Sequence, residues 1–247
     1  MYFNTKKIAS IITARGGSKS IHKKNIMKIN DTPLLHYPIK AIKESKFDID
    51  CFVNTDCPLI ANSASLLDID NLPRPEYLSG DNINHGDAII DAADQYEKKS
   101  GIIPDIYVIL VGNTVMIDGE TIDQVLIKLI DDDEASGAMT VWEAADDHPL
   151  RALKISRDGH LEEYTKRVVS TNRHSYEKAY FFDCGVWAVK SNFLRTNQGP
   201  SPWFWMGPKV IPVERQWITG RDINGPFDVP FHEQWDLLKQ TPSKFYY

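Results

Sequence analysis

Ile8-Ala9-Ser10-Ile11-Ile12-Thr13-Ala14-Arg15-Gly16-Gly17-Ser18-Lys19 is the stretch that decides the fold. Ile8–Ala14 is a short apolar run dense in isoleucine, which reads as a strand buried on both faces. The run stops at Arg15-Gly16-Gly17-Ser18-Lys19, a basic loop. In open parallel sheets, ligands bind beyond the carboxyl ends of the strands. The loop therefore sits where a site is expected.

Working outward, Pro33–Lys46 reads as a helix, with Leu34, Leu35, Ile39 and Ile42 near helical spacing. Ile49–Asn54 reads as a second strand, Cys57–Leu67 as a short helix, and Ile69–Pro75 as an extended piece broken by prolines. Gly86–Lys99 reads as a helix, with Asp87 in its first turn and Lys98-Lys99 in its last, as the helix dipole favours. Ile106–Val111 is the most strand-like run, followed by a helix over Thr121–Ile130 and a strand over Ala138–Glu143. The alternation predicts an α/β fold, a parallel sheet covered on both faces. From Pro149 short extended pieces appear, Ala152–Ser156 and Ala179–Val189, with a turn signal at Asp158-Gly159. They predict antiparallel strands or a projecting hairpin within about residues 150–190. Phe231–Gln240 reads as a closing helix. With no linker or repeat, residues 1–247 read as one domain.

The length of 247 residues suits one large α/β domain. A content of 42% hydrophobic and 25% charged residues excludes disorder. The net charge of −6 argues against a nucleic-acid partner. A small anionic ligand is still accommodated, because Lys6, Lys7, Arg15, Lys19, Lys23, Lys24 and Lys28 cluster early in the chain. Cys51, Cys57 and Cys184 have neither metal-site nor disulfide spacing and read as thiols of a reducing compartment. The N-terminal apolar run is too short for a signal peptide, and no window approaches a membrane span. The expected location is cytoplasmic, with no membrane partner.

Three loops after strands carry suggestive residues: Arg15–Lys24, Thr55–Asp56 and Gly112–Thr114. Gly16 and Gly17 let the backbone turn sharply and approach a ligand, and successive N–H groups in such a turn form an anion nest. Arg15 supplies a fork of donors and Lys19 a point charge. These features suit a di- or triphosphate; a solvated basic turn is the plain alternative. There is no G-x-x-x-x-G-K-[ST] and no G-x-G-x-x-G after the first strand, which argues against a P-loop protein and a dinucleotide-binding oxidoreductase.

Ala14-Arg15-Gly16-Gly17-Ser18-Lys19, then Lys24-Asn25-Ile26, then Pro33-Leu34-Leu35, resembles the opening of the CMP-sialic acid synthetases, the acylneuraminate cytidylyltransferases. Asn54-Thr55-Asp56, Arg74-Pro75-Glu76 with Leu78-Ser79 and Asp81, His148-Pro149-Leu150-Arg151, and Asp222-Ile223-Asn224 with Asp228 resemble later landmarks of that family in the same order. The resemblance implies a Rossmann-like three-layer sandwich, a homodimer, and a Mg²⁺-dependent attack of a sugar hydroxyl on the α-phosphate of CTP. It implies that Arg15, Lys19 and the backbone of Ala14, Gly16, Gly17 and Ser18 hold the triphosphate. Asn25, Arg74 and His85 would hold the nucleoside, with His85 where the family commonly has serine. Asp222 would hold the metal with Asn224, and Asn113 and Arg151 would face the acidic acceptor.

There are departures from the family pattern. Where it has Leu-Gln-Pro-Thr-Ser-Pro-Leu-Arg facing the acceptor, this chain has Leu110-Val111-Gly112-Asn113-Thr114-Val115-Met116-Ile117. Asn224 replaces a second metal aspartate, removing a charge while keeping a carbonyl oxygen. Phe182-Asp183-Cys184-Gly185 replaces Arg-Pro-Asn-Gly. These changes admit a different acid or nucleotide, or a nucleotide-binding homologue without turnover. Other features have plain readings beside functional ones. Asp131–Glu134 reads as a solvated helix end, Asp146-Asp147-His148 as a polar turn, Trp203-Phe204-Trp205 as core or interface, and Asp56 equally as ligand or turn residue.

Overall fold

The computed structural model of the protein describes residues 6–18, 21, 23–166, 170–172, 175–220 and 222–240, with the side chains of 239 and 240 excepted. In chain order, β1 (Ile8–Thr13) is followed by a 3-10 turn (Lys24–Ile26) and a small hairpin of β2 (Lys28–Ile29) and β3 (Thr32–Pro33). Then come α1 (His36–Glu44), β4 (Ile49–Thr55), α2 (Pro58–Ser65), β5 (Asp70–Pro73), α3 (His85–Ser100), β6 (Ile106–Val111), α4 (Gly119–Asp131) and β7 (Gly137–Glu143). The later part holds β8 (Leu153–Ile155), β9 (Leu161–Glu163), β10 (Tyr180–Lys190), β11 (Val210–Glu214) and α5 (Val229–Gln240).

The main sheet has the order β11-β7-β10-β6-β1-β4-β5. β4 and β6 flank β1 in parallel, and β5 extends β4 in parallel. β10 runs antiparallel between β6 and β7, while β11 is parallel to β7. The expected alternation of strand and helix is therefore present, with one reversed strand inserted. Successive β1 side chains point to opposite faces. Ile8 and Ile12 join the cluster that packs α1, α2 and α4, whereas Ala9 and Ile11 join the cluster that packs α3. This makes three layers.

α3 shows why its boundaries fall where they do. The Asn84 side chain accepts the Gly86 N–H at 2.9 Å as an N-cap, and Gly101 at φ +70° closes the other end. The expected helix over Pro33–Lys46 begins only at His36. Asn30 and Asp31 take φ values of +44° and +63°, the tight two-residue turn of a hairpin, so Pro33 pairs with Lys28 instead of opening the helix. β8 and β9 form a separate antiparallel pair, as the hairpin reading anticipates, and all of their residues are exposed. No helix among the described residues is long and apolar enough to cross a membrane.

Candidate active site

The carboxyl ends of β1, β5 and β6 converge on a cleft of about 490 Å³. Thr13 and Arg15 enter it from β1, Arg74 from beyond β5, His85 from the first turn of α3, Asn113 from beyond β6, and Asn224 from the segment before α5. Close backbone approach is built in at Gly112, where a Cβ would lie 2.8 Å from the Ala14 Cβ and 3.2 Å from Asn25 Oδ1. No side chain fits between the β1 and β6 loops there.

The basic loop is held in place from below. Gly16 N–H donates to Asp56 Oδ1 at 2.7 Å. Asp56 is thus a brace for the loop, the turn-like of its two readings. Gly16 is not among the residues of positive φ, so a left-handed turn does not explain the glycine. A Cβ there would meet the Cys57 Cβ at 2.8 Å, and that contact does. Asn25, buried, donates from Nδ2 to the Arg15 carbonyl at 2.9 Å, and its own carbonyl accepts from Leu35 N–H. Asn25 therefore fixes the loop backbone as well as lining the cleft. Ser18 lines the cleft, whereas Lys19 lies outside the described residues.

Among the described residues, the cations of the cleft are all engaged. Arg15 Nη1 meets Asp81 Oδ1 at 2.9 Å. Lys24 donates to the Ile223 carbonyl at 2.7 Å, and burial lowers its pKa, partly offset by Asp222. Arg74 is 8% exposed and donates from Nε to Asn54 Oδ1 at 2.7 Å. Burial lowers its pKa too, with Asp56 opposing. His85 shares a 2.8 Å hydrogen bond between Nε2 and Thr13 Oγ1. Desolvation and the nearby Arg74 charge hold its pKa down at about 4, so the ring is neutral at pH 7.

At the other end, Asp222 is flanked by two amides. Asn113 Nδ2 donates to Oδ2 at 2.8 Å and Asn224 Nδ2 to Oδ1 at 2.7 Å. Asp228 accepts the backbone N–H groups of Asn224 and Gly225 at 2.9 and 2.8 Å, which shapes this segment. Among the described residues no three His, Cys, Asp or Glu side chains gather into a metal cluster. Mg²⁺ nevertheless fits this donor set. Each Asp222 oxygen keeps a further lone pair, and the ion retains most of its waters.

Arg151 is not brought into the cleft: it ends an exposed 3-10 turn and meets Asp146 at 3.3 Å. His148 caps that same turn, accepting from Leu150 N–H, so the Asp146-Asp147-His148 run is structural. In the 131–134 run, Asp132 pairs with Lys209 at 3.1 Å. Trp205 is core, 3% exposed. Among the cleft residues to which the sequence reading gave no role of their own in the site are Thr13, Lys24 and Asp81. The signals were present, since Thr13 ends the strand before the loop, Lys24 lies in the basic cluster, and Asp81 falls in a motif matched to the family.

This arrangement, a basic loop beyond β1 with the Asp222 carboxylate held by Asn113 from beyond β6, is that of a nucleotide-handling α/β protein. The model of the cytidylyltransferase family matches residues 9–183, and the chain belongs to that family. It is 40% identical over 75 residues to an N-acylneuraminate cytidylyltransferase of Escherichia coli O18:K1:H7, covering 30% of this chain and 18% of the relative. It is 43% identical over 58 residues to post-translational flagellin modification protein B of Campylobacter coli, covering 24% of this chain and 25% of the relative. The matches thus span a quarter or less of either relative. CMP:2-keto-3-deoxy-manno-octonic acid synthetase, solved with CTP, superposes with a TM-score of 0.65 at 14% identity, covering 95% of this chain and 99% of that one. The 4-diphosphocytidyl-2C-methyl-D-erythritol synthase of Anaerococcus prevotii gives 0.60 at 13% identity, covering 94% and 96%. These likenesses support the Rossmann-like three-layer fold.

Proposed function

We propose that the protein transfers CMP from CTP to a hydroxyl of an acidic, sialic-acid-like sugar. The observation that carries this reading is that one cleft joins the Arg15 loop, the buried Arg74, His85 and the Asn113–Asp222–Asn224 cluster. The acceptor oxygen forms a bond to the α-phosphorus, the bond to the bridging oxygen breaks, and pyrophosphate leaves. Such a transfer asks the protein mainly to position groups and neutralise charge. Arg15, Lys19 and the backbone of Ala14, Gly16, Gly17 and Ser18 hold the triphosphate. Asn25, Arg74 and His85 hold the nucleoside end. Asn113, poised on Asp222, faces the acceptor. Arg151, directed at Asp146, is left out of this assignment. A Mg²⁺ ion held by Asp222 and the Asn224 carbonyl would supply charge neutralisation at the phosphates.

A homodimer is part of the proposal. On the β8–β9 pair, Leu153 and Ile155 lie two apart on one face, and Ile155 stands opposite Leu161. These residues are 56%, 74% and 70% exposed, an apolar face suited to a second copy.

The test is pyrophosphate release from CTP with Mg²⁺ and a panel of 2-keto sugar acids. Release with at least one acid supports the assignment, and none with any acid rejects it. A second reading, nucleotide binding without turnover, is favoured by Asn224, which brings no charge and turns its amide on Asp222. CTP binding without release, with Asn224→Asp producing turnover, would support that reading.

A further inference from the structure

Resting on the proposed transfer to an acidic acceptor, we infer that Arg215 is a positioning residue for that acceptor, gripping through its buried pair with Asp183 the loop that carries Asn113. A chain of polar contacts crosses the sheet from β11 through β7 and β10 to the loop after β6, four neighbours in the sheet order. Arg215 directly follows β11. Its Nη1 donates to Asp183 Oδ2 in β10 at 2.9 Å, and its Nη2 donates to the Met116 carbonyl beyond β6. Asp183 Oδ1 accepts the Gly185 N–H at 2.8 Å and the hydroxyl of Thr140 in β7. Guanidinium and backbone N–H groups only donate, and carbonyls only accept, so the groups themselves settle the direction of these bonds. Thr114 adds a second pin, donating its hydroxyl to the Cys184 carbonyl at 3.0 Å. Asn113 lies just before these two anchors, and its amide reaches Asp222 at 2.8 Å.

The place of this pair argues for a role beyond cohesion. The Asp183 side chain is fully buried and that of Arg215 is 10% exposed. Two charges taken so far out of water gain little net stability, and packed apolar side chains would hold the strands about as well. Apolar side chains cannot grip a carbonyl. A guanidinium fork can, because it presents donors to Asp183 and to Met116 at once. Room for it is built into the backbone: a Cβ at Gly185 would lie 2.5 Å from Arg215 Nη1 and 2.8 Å from Asp183 Oδ1. Cys184 takes φ +54° within the stretch where the β10–β7 register shifts, and there its carbonyl meets Thr114. The two segments so joined, residues 110–117 and 182–185, are those where this chain departs from the family pattern. Asp183 stands in place of a proline, which could offer no carboxylate. Departures far apart in sequence are thus one unit in the fold, on the side assigned to the acceptor.

The experiment separates positioning from stability in the full chain. Arg215→Ala leaves Asp183 buried without its partner, whereas Arg215→Met with Asp183→Leu removes both charges. The double variant should melt on the order of 5 °C above Arg215→Ala. It should still lose the grip on Met116. In nuclear magnetic resonance of the ¹⁵N-labelled protein, the Asn113 side-chain amide is identified by its absence in Asn113→Ala. Its exchange with solvent should be about tenfold faster in the double variant, the worth of one hydrogen bond. Arg215→Lys is the second variant: it keeps a cation beside Asp183 and gives up the fork, so the fold is retained and the exchange should again quicken. The functional readout is pyrophosphate release from CTP with a panel of 2-keto sugar acids headed by N-acetylneuraminic acid. For an acid that wild type accepts, kcat/KM should fall about tenfold in the double variant while CTP affinity by calorimetry stays within about twofold. In an Asn113→Ala background the same double change should cause no further fall. Unchanged Asn113 exchange in both the double variant and Arg215→Lys overturns the assignment, as does an unchanged kcat/KM or one that falls additively with Asn113→Ala; each leaves the proposed function in place. No release by wild type with any acid rejects the proposed function, and this inference with it.

Discussion

Replacing Arg15 by alanine tests the phosphate end of the site. Charge-assisted hydrogen bonds from a guanidinium to phosphate contribute roughly 1.5–3 kcal/mol. Arg15 does not start unpaired, because its guanidinium sits 2.9 Å from Asp81 and must leave or share that partner when a triphosphate arrives. Both side chains are more than a third exposed, at 36% and 37%, and a pair so solvated is worth about 0–1 kcal/mol. The net loss in Arg15→Ala is then about 0.5–3 kcal/mol, a weakening of CTP binding by about 2- to 140-fold. Asp81→Asn should act in the opposite direction and tighten CTP by up to about fivefold, because the competitor for Arg15 is gone. In an Arg15→Ala background the Asp81 effect should vanish, which a double-mutant cycle reads directly. Isothermal titration of CTP into the four proteins supplies every number. CTP affinity in Arg15→Ala within twofold of wild type would refute the reasoning.

Other expectations follow from packing and burial. Gly112→Ala places a methyl against Ala14 and Asn25 and should cost about 1–3 kcal/mol in urea unfolding as well as weaken nucleotide binding. Arg215→Ala leaves Asp183, whose side chain is fully buried, without its 2.9 Å ion pair and should cost about 3–5 kcal/mol, read as a lower Tm. His232 on α5 is fully buried, neither ring nitrogen has a hydrogen-bond partner among the described residues, and desolvation lowers its pKa from 6.5 to about 4. The unfolded chain therefore takes up its proton first. The contribution of His232 is whole above about pH 6.5 and is lost as pH falls toward 4, with a limiting slope of about 1.4 kcal/mol per pH unit. Thermal melts between pH 4.5 and 7 should show a shallower acid limb in His232→Leu, and identical limbs would count against it. Ile155→Glu with Leu161→Lys should convert a dimer to a monomer in sedimentation equilibrium, whereas a wild type already monomeric would dispose of the dimer proposal.

Much of the fold was legible because it is written in local patterns. The isoleucine run of β1, the IYVILV of β6 and the dipole-matched α3 were all placed from spacing and end residues. The basic loop was legible for the same reason: a short stretch of glycine and cation stands directly after a strand. The hairpin at Lys28–Pro33 was not, since its turn depends on Asn30 and Asp31 adopting positive φ, which those residues tolerate without requiring it. Arg151 sits in a motif that resembles the family, but its side chain goes to Asp146 in an exposed turn. Motif position fixes neighbours along the chain, and the direction of a long side chain is set by whatever charge lies within its reach.

By itself, then, the sequence determined most of the strands and helices up to β7, that they alternate into a covered sheet, and that a basic, glycine-containing loop follows β1. Periodicity, helix-end charges and loop composition act over a few residues and survive without knowledge of the rest. Only the tertiary structure decided that β10 reverses between β6 and β7, that Asp56 braces Gly16 and Asp81 holds Arg15, and that Asn113 and Asn224 meet on Asp222. Apart from the local contact of Asn224 with Asp222, these pairings join residues 40 to 109 positions apart, or strands that must compete for one sheet edge. Their free energies depend on distance and burial in the assembled core, which no local pattern encodes.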